Sequence, residues 1–178
     1  MSDETSGKGP DHGGDGAGTD APRPSLSVRA QYVKDLSFEN PRAPDSFAAG
    51  DPPAINISVQ VQGRQFDDGA HEVELQINAE AKRGDDVVFL TELNYAGVFV
   101  IANVPPEHLQ SVVMVECPRL LFPFARRVIA DCTRDGGFPP LMMEPIDFLQ
   151  LFLQSRAQES QATDPAAAPP AANYTNAH

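Results

Sequence analysis

The chain has 178 residues, of which 41% are hydrophobic, and its 13 Lys and Arg against 25 Asp and Glu give a net charge of −12. This length fits one domain with its own core, and the acidic excess argues against nucleic acid and against direct membrane insertion as partners. No apolar run approaches the length of a membrane span, and the acidic, Gly-rich start does not resemble a signal peptide, so we expect a cytoplasmic protein.

Two tails are predicted to flank one domain at residues 25–158. Residues 1–24 are rich in Gly and in acidic side chains, and residues 159–178 are rich in Ala and Pro. Segments with so few large apolar side chains cannot offset the entropy of ordering. We therefore predict that both tails are disordered.

Alternating apolar and polar residues predict four strands in the first half of the domain. They are expected at residues 26–32, 55–61, 73–79 and 87–95, with a short apolar piece at residues 97–101. Residues 82–86 have the composition of a turn, which predicts an antiparallel hairpin of the third and fourth strands. Pro41, Pro44, Pro52 and Pro53 predict a long crossover between the first two strands.

The second half of the domain changes to helical periodicity. Pro106 suits the first position of a helix that carries Leu109 and Val113. A second helix carries Ala125 and Ile129, with Pro123 either starting or kinking it and residues 136–137 ending it, and Asp147 is a good N-cap for a last helix. The order predicts an α+β fold: a four-stranded antiparallel sheet with helices packed on one face.

Apolar side chains outnumber the positions that such a two-layer domain can cover. The last helix has large side chains nearly all round, and the fourth strand is apolar on both faces. This surplus predicts oligomerisation or a groove for a partner.

No motif for catalysis, for a metal or for a cofactor is present in the sequence. The four histidines do not sit near Cys, Asp or Glu at a metal-ligand spacing, and no nucleophile or phosphate-loop motif occurs. The acidic doublets at residues 67–68 and 85–86 adjoin Gly and are interpreted as solvated turns. Cys117 and Cys132 are interpreted as thiols in a reducing compartment.

Four glutamates are predicted to share the polar face of the sheet: Glu72, Glu74, Glu80 and Glu92. They make either the ordinary solvated face of an antiparallel sheet or a docking surface for a basic partner.

Two longer motifs resemble the bacterial protein-export chaperone family SecB. They are YVKDLSFENPRAP at residues 32–44 and CPRLLFPFAR at residues 117–126, where the second motif has Phe124 in place of the usual Tyr. GVF at residues 97–99 and GFPPL at residues 137–141 fit as well. The resemblance covers about residues 26–155 in order.

This resemblance implies a homotetramer, a dimer of dimers, that holds unfolded precursor proteins without ATP, keeps them competent for translocation and delivers them to the SecA motor. It implies no catalysis and no cofactor, since the zinc of this system belongs to SecA. The positions matched by motif to SecA binding are Asp35, Glu39, Leu90 and Glu92. Thr91, Leu93 and Tyr95 occupy the opposite side of the same strand, which in the family faces the oligomer interior.

Client binding in the family uses long apolar grooves between the crossover, the sheet edge and the helices. The candidates in this chain are Phe38, Phe47, Ile57, Val59, Phe138, Leu141, Met142 and Met143. They are chosen because aromatic and methionine side chains make adaptable apolar surfaces, although each of them also suits a plain core position. Two alternatives stay open: an enzyme or small-ligand carrier with a pocket between sheet and helices, and a structural oligomer subunit without clients.

Overall fold

The computed structural model describes residues 22–48 and 50–162, with side chains up to residue 158. Four strands come first: β1 (Ser25–Glu39), β2 (Ala54–Gln65), β3 (His71–Arg83) and β4 (Asp86–Ala102). The helical half contains α1 (Pro106–Ser111), a π-helical segment (Val112–Glu116), α2 (Cys117–Asp135) and α3 (Phe148–Ala162). The predicted α+β fold is confirmed. α3 continues past residue 158, and the two predicted tails otherwise lie mainly outside the described residues.

The four strands form one antiparallel sheet in the order β1–β4–β3–β2. β3 and β4 make the predicted hairpin, in which Arg83 pairs with Asp86 and Gly84 adopts a positive φ of 62° in the turn. β1 and β2 lie at opposite edges, so the chain between them must cross the end of the sheet. The prediction of a long crossover is therefore confirmed, and a short 3-10 turn at Asp45–Phe47 lies within it.

β4 runs without a break from Asp86 to Ala102, whereas the sequence predicted a strand followed by a separate apolar piece. Gly97 lies just past the predicted end of the strand and inside the continuous β4. A Cβ at Gly97 would lie 2.7 Å from Cδ2 of Leu121, so this glycine lets α2 approach the sheet closely.

The core lies between the sheet and the helices. Alternate residues of β3 and β4 point to this side, because successive side chains of a strand face opposite ways. The strand side chains of the core include Val73, Leu75, Ile77, Leu93 and Phe99, and the helical ones include Leu121, Ala125, Ile129, Phe148 and Phe152. Phe122 packs edge-on against Phe148 at 5.9 Å between centroids, which joins α2 to α3.

The first helical stretch runs unbroken from Pro106 to Asp135, and Pro123 lies inside it, neither starting nor ending a helix. The π-helical segment directly precedes Cys117 and Pro118. Its last turn is closed by the N–H of Cys117, which donates to the carbonyl of Val112 five residues earlier. Pro118 has no N–H and would clash with the carbonyl four residues before it in a regular helix, so the wider turn relieves that conflict.

α3 begins as predicted, with Asp147 as its N-cap. Oδ1 of Asp147 accepts a hydrogen bond of 3.0 Å from the backbone N–H of Gln150. Phe148 and Phe152 are buried, whereas Leu149 and Leu153 on the other side are 45% and 57% exposed. The predicted excess of apolar residues on this helix is thus present at its surface.

Both cysteines are free thiols, Cys117 buried and Cys132 partly buried. Burial, with a smaller contribution from the charge of Glu116, raises the pKa of Cys117 to about 12, so this thiol stays protonated at neutral pH. Within the described residues, no helix has the length and apolar character needed to cross a membrane.

Candidate functional site

Four phenylalanines from distant parts of the chain form an aromatic cluster at one end of the sheet. Phe38 comes from β1, Phe47 from the crossover, Phe89 from β4 and Phe138 from the loop between α2 and α3. Phe138 is central, with ring centroids 5.2 Å from Phe47, 5.0 Å from Phe89 and 6.3 Å from Phe38. Such spacings are those of favourable aromatic pairs, so the cluster fixes the crossover and the loop after α2 against the sheet.

An apolar groove of about 420 Å³ lies on this cluster. One wall is the crossover, the floor is the sheet, and the other wall is the loop after α2. The apolar lining residues are Phe47, Pro52, Pro53, Ile55, Val88, Phe89, Phe138, Pro139, Pro140 and Leu141. Arg83 is the cation of the lining, so the groove offers a large apolar surface with one positive charge at its rim.

The apolar surface continues along edge strand β2. Ile55, Ile57, Val59 and Val61 alternate on the helix side of β2, and Ile57 is 42% exposed. A second groove of about 390 Å³ lies farther along, between β2, the π-helical segment and α3. Its apolar lining residues are Val59, Val61, Met114, Leu151 and Phe152. Ile57 lies between the two grooves in the strand, so an extended chain could follow β2 from one to the other.

The structure places the eight predicted groove residues in five different settings. Phe47, Phe138 and Leu141 line the first groove. Phe38 does not line it; it packs against Phe89 and Gly136 and lines a separate concavity between β1 and α2. Ile57 and Val59 lie along β2. Met143 is 5% exposed and belongs to the core, and Met142 is 68% exposed but lines neither groove.

Phe89, Ile55 and the two proline pairs are groove residues that the sequence interpretation did not name. Phe89 pairs with Ala81 of β3 and packs with Phe38 and Phe138. The sequence contains one signal for these residues, the two diproline segments Pro52-Pro53 and Pro139-Pro140. Proline makes a loop rigid, and two rigid loops can form the preformed walls of a groove.

The open face of the sheet brings together the four positions that were matched to SecA binding. Glu39 pairs directly with Leu90, Asp35 pairs with Asn94, and Glu92 lies between them opposite Ser37. Asp35 and Glu92 line a shallow concavity of about 230 Å³ together with the amides of Gln76, Asn78 and Asn94. Asp35, Glu39 and Glu92 are exposed, and none has an ion-pair partner within the described part of the chain.

The other end of the open face is neutralised. Glu72 is only 3% exposed and accepts hydrogen bonds from Tyr32, from Lys34 at 3.4 Å and from Arg64 at 2.7 Å. Lys34 also pairs with Glu74. The hydrogen bond from Tyr32, with the charges of Lys34 and Arg64, holds the pKa of Glu72 below its usual value despite burial.

The predicted uniform acidic face is therefore two regions. Glu72 and Glu74 belong to a compensated network that ties β1, β3 and β2 together, whereas Asp35, Glu39 and Glu92 keep their charge unpaired. A cationic partner would be attracted to the second region, because its field is not cancelled locally.

Thr91, Leu93 and Tyr95 point to the helix side and are 0%, 2% and 8% exposed within the single chain. Thr91 donates a hydrogen bond to the carbonyl of Ser37 at 2.9 Å, and Tyr95 donates one to Gln31 at 3.3 Å. These side chains have little surface of their own to offer a second chain. Their role in assembly stays a prediction. They would influence assembly by holding the helices against the sheet, not by contacting a second chain.

A separate set of exposed apolar side chains lies on β1 and α2. Val28, Val33 and Leu36 on β1 are 40–45% exposed, and Leu120 and Phe124 on α2 are 42% and 46% exposed. Large side chains concentrated on one edge strand and one helix are typical of an interaction surface. The described residues hold no group of three or more His, Cys, Asp or Glu side chains that could bind a metal ion.

Comparison with known proteins agrees with the fold and with the motifs. The family described as "Preprotein translocase subunit SecB" matches residues 19–159. A protein-export protein SecB from Bradyrhizobium sp. is 52% identical over 151 residues, covering 84% of this chain and 93% of the relative. Another, from Parvibaculum lavamentivorans, is 50% identical over 169 residues and covers 94% and 98%.

Comparison with solved structures finds a similar fold as well. A similar structure is that of a SecB-like chaperone of Mycobacterium tuberculosis in complex with a peptide from an antitoxin, with a TM-score of 0.56 at 16% identity. The match covers 68% of this chain and 90% of the solved one. At that identity the likeness concerns the fold, which is the sheet with helices on one face.

Proposed function

This chain belongs to the SecB family of protein-export chaperones, and from that membership we propose that it is a cytoplasmic holdase. It binds unfolded precursor proteins in its apolar grooves without ATP, keeps them competent for translocation and delivers them to the SecA motor. Its partners are then unfolded clients, SecA and further copies of itself.

The observation that carries this proposal is the aromatic groove that continues along β2 into a second groove. Two concave apolar surfaces joined by an exposed strip suit an extended chain with spaced apolar residues, and they suit a folded protein poorly, because folded proteins hide such residues. Aromatic and aliphatic walls recognise surface area more than sequence, which accommodates dissimilar clients.

Delivery to SecA is assigned to the unpaired acidic region formed by Asp35, Glu39 and Glu92, with Leu90 as its apolar contact. A basic segment of the motor would be steered to this region, with an association rate that falls as salt screens the charges. The groove lies at one end of the helix-covered side and the acidic region on the open side, so client and motor can bind at the same time.

Assembly as a dimer of dimers would bury the apolar surface of β1 and α2. A tetramer multiplies the grooves, and a client bound in one groove is held near the next at high effective concentration. Weak individual contacts would then add up to a long-lived complex.

The first experiment tests client binding. Light scattering would measure the mass of the purified protein alone, after addition of a precursor diluted from denaturant, and after addition of the same precursor already folded, all without ATP. We expect a tetramer that gains the unfolded precursor and ignores the folded one. If neither form binds, the holdase proposal is wrong and the small-ligand carrier becomes the better hypothesis.

Groove variants locate the binding surface. Phe138→Ser removes the central ring of the aromatic cluster and should weaken client binding about tenfold or more, which is a loss of roughly 1.4 kcal/mol. Met142→Ser is the matched control, because Met142 is exposed but lines neither groove. Equal loss in both variants would contradict the assignment of the groove.

The SecA assignment is tested by charge reversal. Asp35→Lys and Glu92→Lys should weaken SecA binding and leave client binding intact. Glu107→Lys, at an exposed position of α1, adds the same charge elsewhere and should leave both unchanged. Loss of both activities or of neither in the first two variants would refute these roles.

A further inference from the structure

The crossover is fastened to the β3–β4 hairpin at two points, and each fastening uses an arginine. Arg42 of the crossover forms an ion pair with Asp86, the first residue of β4. In the opposite direction, Nε of Arg83, the last residue of β3, donates a hydrogen bond of 2.9 Å to the carbonyl of Asp51 in the crossover. Since Arg83 and Asp86 pair across the hairpin, both fastenings converge on one pair of strand residues.

The part of the crossover between these fastenings carries Phe47 into the groove. The Phe47 ring lies over Gly137, where an added Cβ would come within 2.9 Å of it, and it packs against Phe138. Phe47 is nevertheless 50% exposed, so its contacts with Gly137 and Phe138 alone hold the ring only partly in place. The position of this groove wall therefore depends on what anchors the crossover on either side.

Arg83 fits its anchoring position closely. Its guanidinium lies against Gly50, where a Cβ would be 3.3 Å from Nη1 and would force the arginine to shift. Arg83 has no carboxylate partner within the described residues, and it lines both the apolar groove and a small cavity beside Arg42. Arg83 therefore binds the crossover backbone, which is what an anchoring role requires.

We propose that Arg42 and Arg83 are positioning residues for the client groove: together they clamp the crossover, and the clamp sets how fast a bound client leaves. This inference rests on the proposed holdase function. Both contacts are partly exposed, with Arg42 and Asp86 side chains 50% and 59% exposed, so water and salt compete with them. The two contacts are therefore weak enough to break while a client is bound. The clamp slows the release of a client but does not close the groove.

The first test reads the crossover directly and needs no client. The chain contains no tryptophan, so Phe47→Trp gives a single fluorescent reporter on the groove wall. In this background, Arg83→Met and Asp86→Asn each break one fastening, and quenching of the tryptophan by acrylamide, a neutral probe, measures its exposure. We expect quenching to rise in both variants.

The matched control is Arg29→Met. Arg29 forms an ion pair of 2.7 Å with Asp68 whose side chains are 53% and 57% exposed, close to the values for Arg42 and Asp86, and both are remote from the crossover in the sheet register. If the tryptophan is quenched no more in Arg83→Met and Asp86→Asn than in this control, the clamp does not exist, whatever the protein does with clients.

The second test measures release of a labelled unfolded precursor from chains that keep Phe47. Stopped-flow release against excess unlabelled precursor should be about three to ten times faster in Arg83→Met and Asp86→Asn than in wild type or Arg29→Met, with a smaller change in the association rate. Increased quenching with unchanged release would overturn the kinetic part of the proposal. Absence of client binding in wild type would instead refute the holdase function, while the quenching result would still decide whether the clamp exists.

A charge exchange guards against general damage to the fold. Arg42→Asp alone places two carboxylates together and should increase both quenching and release. Arg42→Asp combined with Asp86→Arg restores an ion pair of opposite polarity and should bring both values back toward wild type. Failure of this rescue while circular dichroism shows a folded protein would count against the clamp.

Discussion

Glu72 lies buried on the sheet face that carries no helix, where a lone carboxylate would be costly. Arg64 reaches Glu72 from β2, the strand next to β3. Tyr32 and Lys34 reach it from β1, although β4 lies between β1 and β3. Ala96 of β4 pairs with Tyr32 and Glu74, and its small side chain leaves room for the network to pass over β4. One glutamate thus links three strands.

Replacement of Glu72 by Gln should lower the free energy of unfolding by about 1–3 kcal/mol at pH 7, because the charge-assisted hydrogen bonds lose their acceptor charge. The folded-state pKa of Glu72 is lowered from the ordinary 4.5, so its stabilisation is present above about pH 4.5 and is lost as the pH falls through the folded value. Urea unfolding of both proteins at several pH values from 7 downward checks this.

Glu80→Gln is the control for that measurement. Glu80 pairs with Lys82 at the surface and should contribute less than about 1 kcal/mol at any pH. A difference between wild type and Glu72→Gln that stays constant down to the lowest pH would contradict the assigned role of the Glu72 charge.

At the scale of elements, the contact between β2 and the π-helical segment decides how the long helix lies on the sheet. Gly63 of β2 lies so near Val113 that a Cβ at this position would be 2.7 Å from Cγ1 of Val113. The wide turn before Pro118 thus packs into a notch left by a glycine. Two sequence features far apart in the chain, a glycine and a proline, cooperate in one contact.

Gly63→Ala should therefore destabilise the fold by about 1–3 kcal/mol through overpacking. Val113→Ala removes the clashing methyl groups, so the double variant should be more stable than the sum of the two single effects predicts. A double-mutant cycle by urea denaturation measures this coupling. Strict additivity would show that the notch and the π-helical segment do not depend on each other.

Much of this element structure was predictable from the sequence because strands and helices have different periods. The hairpin turn at Gly84, the start at Pro106 and the cap at Asp147 were each predicted from local chemistry. The predicted end of the fourth strand at about Tyr95 was wrong, because β4 continues through Gly97, a glycine that serves close packing of α2 and not a turn.

The site was predictable to a smaller extent, for the same kind of reason. Strand alternation placed Glu92 on the polar face and the family resemblance pointed to Asp35, but whether a carboxylate is paired depends on strands that are neighbours only after folding. Glu72 therefore resembled Glu92 in the sequence and differs from it in the structure. Phe89 was missed because alternation assigns a side chain to a face and does not show that a groove opens there.

At the scale of the whole molecule, apolar side chains stay exposed outside the two grooves, on α3 at Leu149 and Leu153 and as a larger set on β1 and α2. Five large side chains there are at least 40% exposed: Val28, Val33, Leu36, Leu120 and Phe124. If the proposed tetramer buries this surface, its stability depends on these residues more than on the grooves.

Phe124→Glu should weaken assembly, because a buried interface would then have to accommodate an unpaired charge. We expect the apparent dissociation constant between copies to rise about tenfold or more, seen as a lower mass by sedimentation at micromolar concentration. Ser58→Glu adds the same charge at an exposed position of β2 and should keep the wild-type mass. A Phe124→Glu chain that keeps that mass at every concentration would place the interface elsewhere.

The order of strands in the sheet also bears on how the chain folds during its own synthesis. β1 is made first, yet its partner β4 is made last of the strands, with Ser25 pairing with Ala102 and Glu39 with Leu90. The amino-terminal strand must therefore leave the ribosome and wait unpaired until most of the sheet has been translated. Contacts so distant in sequence slow folding and lengthen the exposure of apolar segments. A member of a chaperone family thus passes through the same vulnerable stage as the unfolded precursors that it is proposed to bind.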